Sequence, residues 1–383
     1  MIQRVVILGG HIQALGLARQ IKAYGLRTIV VVESNCAVAR WSKCVDEVKI
    51  YSKFERLFPL IQSIVTPDTM LFPTSDEYIE LLVKHRTELE PLCYVALPRN
   101  EVVSLFANKR DTYQFCERNN IAHPHSFYPH DMNDVLSIAK RVDYPCVVKP
   151  GVMYSFHKLL GKKAFLVQNE KELIMRMEQI KQAGFPIHLM LIQEFLAGGA
   201  KELYSFGTFA VDGKSLVDIQ VNRIRQNPMT FGNSTTYCHT VNIPQIEQAA
   251  KEILYKTHYT GMGEVEFMYD KNIGDYKFLE INTRAWKWHT ISNQLGFSFI
   301  RAWIEWLNEG KIETNEKQKE AAWCEHLTDT VVVMKEIVHG RMSVHSYLQS
   351  MCRKKEFAVW SWIDPLPAIM YLLLSPILYI KRY

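Results

Sequence analysis

The stretch from Val5 to Glu33 constrains the fold more than any other. Val5 to Leu8 is an apolar run that stops at Gly9-Gly10-His11. Ile12 to Tyr24 then carries helical periodicity, Gly25 ends it, and Thr28 to Glu33 is a second β-branched run. Parallel strands need a crossover, and here the helix supplies it, so the segment is a β-α-β unit. The fold class implied is α/β, opening on a parallel sheet. Further on, Met70 to Glu77 reads as a strand end passing into a helix capped by Thr74 or Ser75. Ligands collect at the carboxyl ends of parallel strands, which makes Asp76 a candidate substrate contact. Its other reading is an acid in the first turn of a helix. Gly9, Gly10 and Gly16 fall short of the full Gly-x-Gly-x-x-Gly pattern, although Glu33 stands where a ribose-binding acid would. An NAD(P)-dependent oxidoreductase therefore rests on this unit alone.

At 383 residues the chain has room for two or three domains. A net charge of +5, spread over both halves, does not point to nucleic acid. The eight cysteines include no Cys-x-x-Cys pair. Free thiols in a reducing cytoplasm are expected, without a structural zinc site. The first residues run directly into a strand and lack the features of a secretory signal, which again predicts a cytoplasmic protein.

From about Leu105 the texture changes. Asn108 to Asn120 is an amphipathic helix carrying Lys109 and Arg110, and Cys146 to Val148 is a buried strand ending in Lys149-Pro150. Gly151 to Lys163 has neither apolar period and contains His157 and Lys158, so it reads as a mobile basic loop. Asn169 and Glu172 have capping-box spacing at the head of a helix. Leu189 to Glu194 is a strand broken by Leu196-Ala197-Gly198-Gly199. Strands from Glu202 to Val211 and Ser215 to Arg223 meet at Asp212-Gly213, a two-residue hairpin signal. Gln245 to Tyr259 is a helix, and beyond Thr283 a long helical stretch is expected to reach Trp306 and end at Gly310.

Between those helices lies a second hairpin, Glu264 to Met268 and Tyr276 to Ile281. With the turn centred on Ile273, Glu266 faces Glu280 and Glu264 faces Asn282, all on one face. Carboxylates crowded in this way repel unless a cation sits among them. Hard oxygen ligands on a rigid hairpin suit Mg²⁺ bridging nucleotide phosphates. A half-solvated hairpin with an acidic outer face is the alternative.

In order and spacing, Lys109, Val148-Lys149-Pro150, the loop, Ile192 to Leu196, Glu202, Glu264-Val265-Glu266 and Phe278 to Asn282 with Arg284 resemble the ATP-grasp superfamily over residues 1 to about 310. The resemblance implies a Rossmann-like domain over 1–105 and a two-lobed ATP-grasp domain over 106–310 with a lid lobe at about 145–192. A C-terminal extension, 311–383, follows. It implies Mg²⁺ or Mn²⁺ and ATP as cofactors. Lys109 and Lys149 would neutralise phosphates, and His157 and Lys158 would fold over them. Gln193, Glu194 and Leu196 would form the adenine hinge, Glu202 would accept from the ribose, and Glu266, Glu280 and Asn282 would ligate the metal. Arg284 would bind the γ-phosphate or an oxyanion, with Arg223 and Arg225 as further phosphate contacts or surface arginines. The loop departs from the family in keeping glycine only at its ends, Gly151 and Gly161, which leaves a non-catalytic nucleotide-binding or scaffold protein as the alternative.

The sub-group resembled is the carboxylate-amine ligases, including D-aspartate ligase-like enzymes, so the implied partners are a small carboxylate and an amine. The segment after the metal site would line the acceptor pocket: Trp286 and Trp288 as walls or as core, Lys287 and His289 as carboxylate binders. Finally, Trp360 to Pro365 leads into an apolar stretch, Leu366 to Ile380, broken by Pro367 and Pro376 and closed by Lys381-Arg382. It is short for a membrane span. The expectation is an interface-lying anchor, or else a hairpin packed on protein.

Overall fold

The computed structural model describes residues 1–151, 156, 159–162, 164–229, 232, 234–312 and 320–382, with backbone only for 376–382. His157 and Lys158 lie outside the described residues. The chain divides into two compact units. One comprises Met1–Arg99, Gly199–Glu264 and Asn282–Tyr383, the other Asn100–Gly198 and Val265–Ile281.

The first unit opens on the expected β-α-β. Strands β1 (Arg4–Leu8), β2 (Arg27–Val32), β3 (Glu47–Ile50), β4 (Thr69–Pro73) and β5 (Tyr94–Val95) form a sheet in the order β3-β2-β1-β4-β5. Every pairing in it is parallel. β1 and β2 are apolar almost throughout because both faces of such a sheet are covered. The N-terminal glycines serve close packing within the protein. A Cβ on Gly9, whose φ is +109°, would fall 2.2 Å from Thr74 Oγ1, and one on Gly10 would fall 2.4 Å from Ala37 Cβ. A Cβ on Gly16 would fall 2.5 Å from Thr290 Cγ2 and 2.9 Å from His289 Nε2, so the helix Ile12–Ala23 needs glycine there. Thr74 donates to the Leu8 carbonyl (2.7 Å) instead of capping the next helix. Ser75 occupies the N-cap of Asp76–Lys84 without a side-chain hydrogen bond.

The second unit is built on strands β6 (Ser126–Phe127), β7 (Cys146–Pro150), β8 (Phe165–Val167) and β9 (Met190–Glu194), an antiparallel sheet in the order β6-β9-β7-β8. Helices Met132–Ala139 and Glu170–Gln182 cover a core that includes Val148, Phe156, Met177 and Ile192. Asn108 caps the helix Lys109–Arg118 by accepting from Arg110 N (3.0 Å). Asn169 caps the helix Glu170–Gln182 by accepting from Glu172 N (3.0 Å). Glu172 accepts from Gln168 N (2.9 Å), one residue earlier than a capping box requires.

A seven-stranded sheet holds β10 (Leu203–Val211), β11 (Lys214–Asn227), β12 (Ser234–Val241), β13 (Gly261–Asp270), β14 (Asp275–Asn282), β15 (Ala322–Cys324) and β16 (Lys355–Phe357). Their order is β14-β13-β10-β11-β12-β15-β16. Asp212 (φ 46°) and Gly213 (φ 78°) form the expected two-residue turn, both left-handed as a type I′ hairpin demands. The long helix expected after Thr283 is instead a 3₁₀ turn, Lys287–Ile291, a short helix, Ser292–Leu295, a left-handed break at Gly296 and the helix Phe299–Glu309. Apolar periodicity alone does not register that break; the glycine does.

The chain beyond residue 320 contributes β15, the helices His326–Val338 and Val344–Met351, β16 and the helix Leu366–Arg382. Asp364, just ahead of the last helix, accepts from Arg19 Nε (2.9 Å), Ser42 Oγ (2.6 Å) and Lys43 N (3.1 Å). Among the described residues no helix is long and apolar enough to cross a membrane. The segment instead exposes Trp362, Ile363, Leu366, Ile369, Leu372 and Leu373, with Trp362 85% accessible.

Candidate active site

In the second unit, one helical turn and two strands gather charge. Lys109 starts the helix Lys109–Arg118 and forms an ion pair with Glu280 on β14. Burial alone would lower the lysine pKa, but Glu280, aided by Tyr113 and then Glu266, outweighs it and the net shift is upward. Lys109 is therefore the cation that relieves the carboxylate crowding read from the hairpin. Lys149, near the end of β7, donates to Tyr113 Oη (3.1 Å) and lies 5.1 Å from that ring's centroid. Tyr113 is held in turn by donating to the Leu279 carbonyl (2.9 Å). Burial pulls the Lys149 pKa down, and repulsion from Lys109 adds to that, while Tyr113 works in the opposite direction. Two ammonium groups are thus close enough to oppose each other, and a polyanion placed there would satisfy both.

At the end of β9, Gln193 is buried and donates to Ser126 Oγ (2.6 Å). Its side chain is enclosed by the protein on a strand buried on both faces, which corrects its expected role as a nucleotide contact. Glu194 pairs with Lys277 and accepts from His125 N (2.7 Å), so its side chain is engaged while the chain after it leaves the sheet. Leu196 is half-buried just past that point.

In the first unit, the side chains of Glu264 and Asn282 meet as expected. Asn282 Nδ2 donates to Glu264 Oε2 (3.1 Å), and Trp288 Nε1 donates to Glu264 Oε1 (2.7 Å). Glu264 is only 4% accessible. It is a buried acceptor, not a third carboxylate on an open acidic face. Among the described residues no three His, Cys, Asp or Glu side chains form a metal-binding group. Within the second unit, Glu266 and Glu280 offer carboxylate oxygens, donors of suitably hard character for Mg²⁺.

Arg284 donates from Nε to Asp76 Oδ1 (2.7 Å), so two residues singled out separately in the sequence meet. Glu202 closes the 3₁₀ turn Gly199–Glu202 ahead of β10. Arg223 is buried in β11. Arg225 is also buried, and its pair with Asp329 makes it a structural residue rather than a phosphate contact. Lys287 donates to Ser234 Oγ (2.6 Å).

The expected pocket wall is corrected. Trp286 and Trp288 are both buried, packed so tightly that a Cβ on Gly207 would lie 2.4 Å from Trp286 Cζ2 and 2.7 Å from Trp288 Cη2. Trp286 belongs to the apolar core, as one of the two readings had it. His289 is fully buried, with Nε2 3.3 Å from the Gln13 carbonyl, and burial lowers its pKa to about 4. A neutral, enclosed imidazole cannot serve as a cationic carboxylate binder.

The residues that sequence reasoning missed are Tyr113 and Asp329. Tyr113 lies one helical turn after Lys109, a spacing that places it on the same face. Asp329 carries no local signal.

Comparison with known proteins supports the ATP-grasp resemblance. Residues 210–304 match the model of the carbamoyl-phosphate synthase L chain, ATP binding domain. Over 183 residues the chain is 26% identical to the carbamoyl phosphate synthase large chain of Pyrococcus furiosus, covering 46% of this chain and 16% of that one. The chain thus spans a small part of the length of this curated relative. It resembles the biotin carboxylase domain of Hydrogenobacter thermophilus 2-oxoglutarate carboxylase, solved with MgADP and bicarbonate. The TM-score is 0.64 at 18% identity, covering 83% of this chain and 72% of that one. It also resembles N5-carboxyaminoimidazole synthetase from Staphylococcus aureus, with a TM-score of 0.64 at 14% identity and coverages of 88% and 86%.

Proposed function

We propose that the protein is an Mg²⁺- and ATP-dependent ligase that joins a carboxylate to an amine. The observation that carries this reading is the opposed pair Lys109 and Lys149 beside Glu280 and Glu266, a charge arrangement suited to a metal-bound polyphosphate. Lys109 and Lys149 hold phosphate oxygens, and the backbone after Glu194 meets the adenine. Glu202 accepts from the ribose hydroxyls, and Arg284 carries the charge that develops on the transferred group. Glu266, Glu280 and Asn282 would hold Mg²⁺, which would supply charge neutralisation at the phosphates. The substrate carboxylate attacks the γ-phosphorus, giving an acyl phosphate and ADP. The amine then attacks the acyl carbon, the C–N bond forms, and phosphate leaves with one proton lost from nitrogen.

The test is ADP release across a set of amino acids and small carboxylates, with and without an added amine. An active pair should appear for the wild-type chain. Glu280→Gln should then lower turnover by roughly 100-fold or more, the scale of losing one electrostatic contact to the transition state. Nucleotide binding without ADP release on any pair would favour the scaffold reading, and unchanged turnover in Glu280→Gln would remove the metal assignment.

The exposed ridge from Trp362 to Leu373 favours a second, compatible reading. An interfacial contact with a membrane would bring the enzyme to a membrane-bound acceptor, such as a cell-envelope precursor.

A further inference from the structure

We propose that Glu264 is a positioning residue that sets which end of the Asn282 amide is presented for metal binding; this rests on the nucleotide–metal reading above. An asparagine side chain has one end that can ligate a cation, its carbonyl oxygen, and one that cannot, its NH₂ group. Glu264 Oε2 accepts from Asn282 Nδ2 at 3.1 Å, so the nitrogen is the inward end. Because the amide is planar, Oδ1 lies on the opposite side of Cγ from the nitrogen and is the end turned away from Glu264.

The carboxylate is itself held in place. Trp288 Nε1 donates to its other oxygen at 2.7 Å, and the indole is wedged against Gly207, where a Cβ would come within 2.7 Å of it. Glu264 is buried, so burying its two oxygens is costly unless both are satisfied. Both are satisfied by N–H donors. Gly207, Trp288, Glu264 and Asn282 therefore form a rigid series ending at one oriented amide. Partners of this kind typically tune metal affinity by about 10- to 100-fold.

Glu264→Gln keeps the shape but can turn its own NH₂ group toward residue 282, which removes the bias on the amide. Glu264→Gln with Asn282→Asp reverses the roles: the donor now stands at position 264, and a carboxylate oxygen remains available at 282. The readout is binding rather than turnover: Mn²⁺ affinity by electron paramagnetic resonance, and ADP affinity by calorimetry with and without Mg²⁺. In Glu264→Gln, metal-free ADP affinity should stay within about twofold of wild type, while Mn²⁺ affinity and the Mg²⁺ enhancement of ADP binding fall by about tenfold. The double variant should recover most of that loss, and its recovery requires a folded protein.

If Glu264→Gln binds Mn²⁺ as wild type does, or loses metal-free ADP binding to the same extent, the positioning role is wrong. Failure of the double variant to recover affinity also overturns it. A wild-type protein whose ADP affinity ignores Mg²⁺ would instead overturn the nucleotide–metal reading, and this inference with it.

Discussion

Replacing Asp329 with alanine should be among the most destabilising single changes in the first unit. Arg225 and Asp329 are 2% and 1% accessible at their side chains, and they meet through two hydrogen bonds, Nε to Oδ1 at 2.8 Å and Nη2 to Oδ2 at 2.7 Å. Thr236 Oγ1 also donates to Oδ1, at 2.8 Å. The guanidinium donates to Ser350 Oγ at 3.0 Å and lies 4.0 Å from the centroid of Tyr237. Asp329→Ala keeps the arginine buried and removes the carboxylate it pairs with, leaving the Tyr237 and Tyr347 rings and the Ser350 hydroxyl. Breaking a buried pair in this way costs about 3–5 kcal/mol. With about 2–4 °C of melting temperature per kcal/mol in a unit of this size, the transition should fall by roughly 6–20 °C. The assay is thermal and denaturant unfolding at pH 7, followed for Asp329→Ala, Arg225→Met, Asp329→Leu and the combination of the last two. The paired apolar replacement should cost far less than Asp329→Ala, because no unpaired charge remains. A cost below about 1 kcal/mol for Asp329→Ala, or one that vanishes in 1 M salt, would refute the argument, since buried pairs are screened only weakly.

The His289 pKa, lowered by burial to about 4, predicts an acid-sensitive fold. The unfolded chain, with an ordinary histidine near 6.5, binds the proton first, so stability is fully present above about pH 6.5 and is lost as pH falls toward 4. The loss amounts to about 2 kcal/mol at pH 5. In denaturant titrations at pH 7 and pH 5, His289→Gln should flatten that difference; an unchanged slope would show that the imidazole is not the group responsible. For the interfacial reading, the intact protein should sediment with vesicles containing anionic lipid. A Trp362→Ser, Leu372→Ser, Leu373→Ser variant should remain in solution with an unchanged melting temperature. Point substitutions are the better probe because deletion would strip Arg19 of Asp364. Equal sedimentation of the two proteins would remove the membrane reading.

Much of the fold is legible where local chemistry decides it. The β-α-β opening, the Asp212-Gly213 turn, the Asn169 cap and the helix end at Gly310 follow from residues whose preferences act over a few positions. That Glu264 and Asn282 would meet was legible because a hairpin brings such positions together locally.

What only the tertiary structure decided is which polar side chains face inward and what they meet there. The hairpin by itself made Glu264 and Glu266 equivalent, two acids two residues apart, and strand alternation made Arg223 and Arg225 equivalent in the same way. Packing separates them: Trp288 claims Glu264, and Asp329, more than one hundred residues along the chain, claims Arg225. It likewise turned His289 from a candidate ligand into a neutral buried ring, and joined Asp76 to Arg284 across 208 positions. Periodicity records which face of an element is apolar, but burial and pairing energies depend on partners distant in sequence. The assignment of each charge was therefore left to the assembled core.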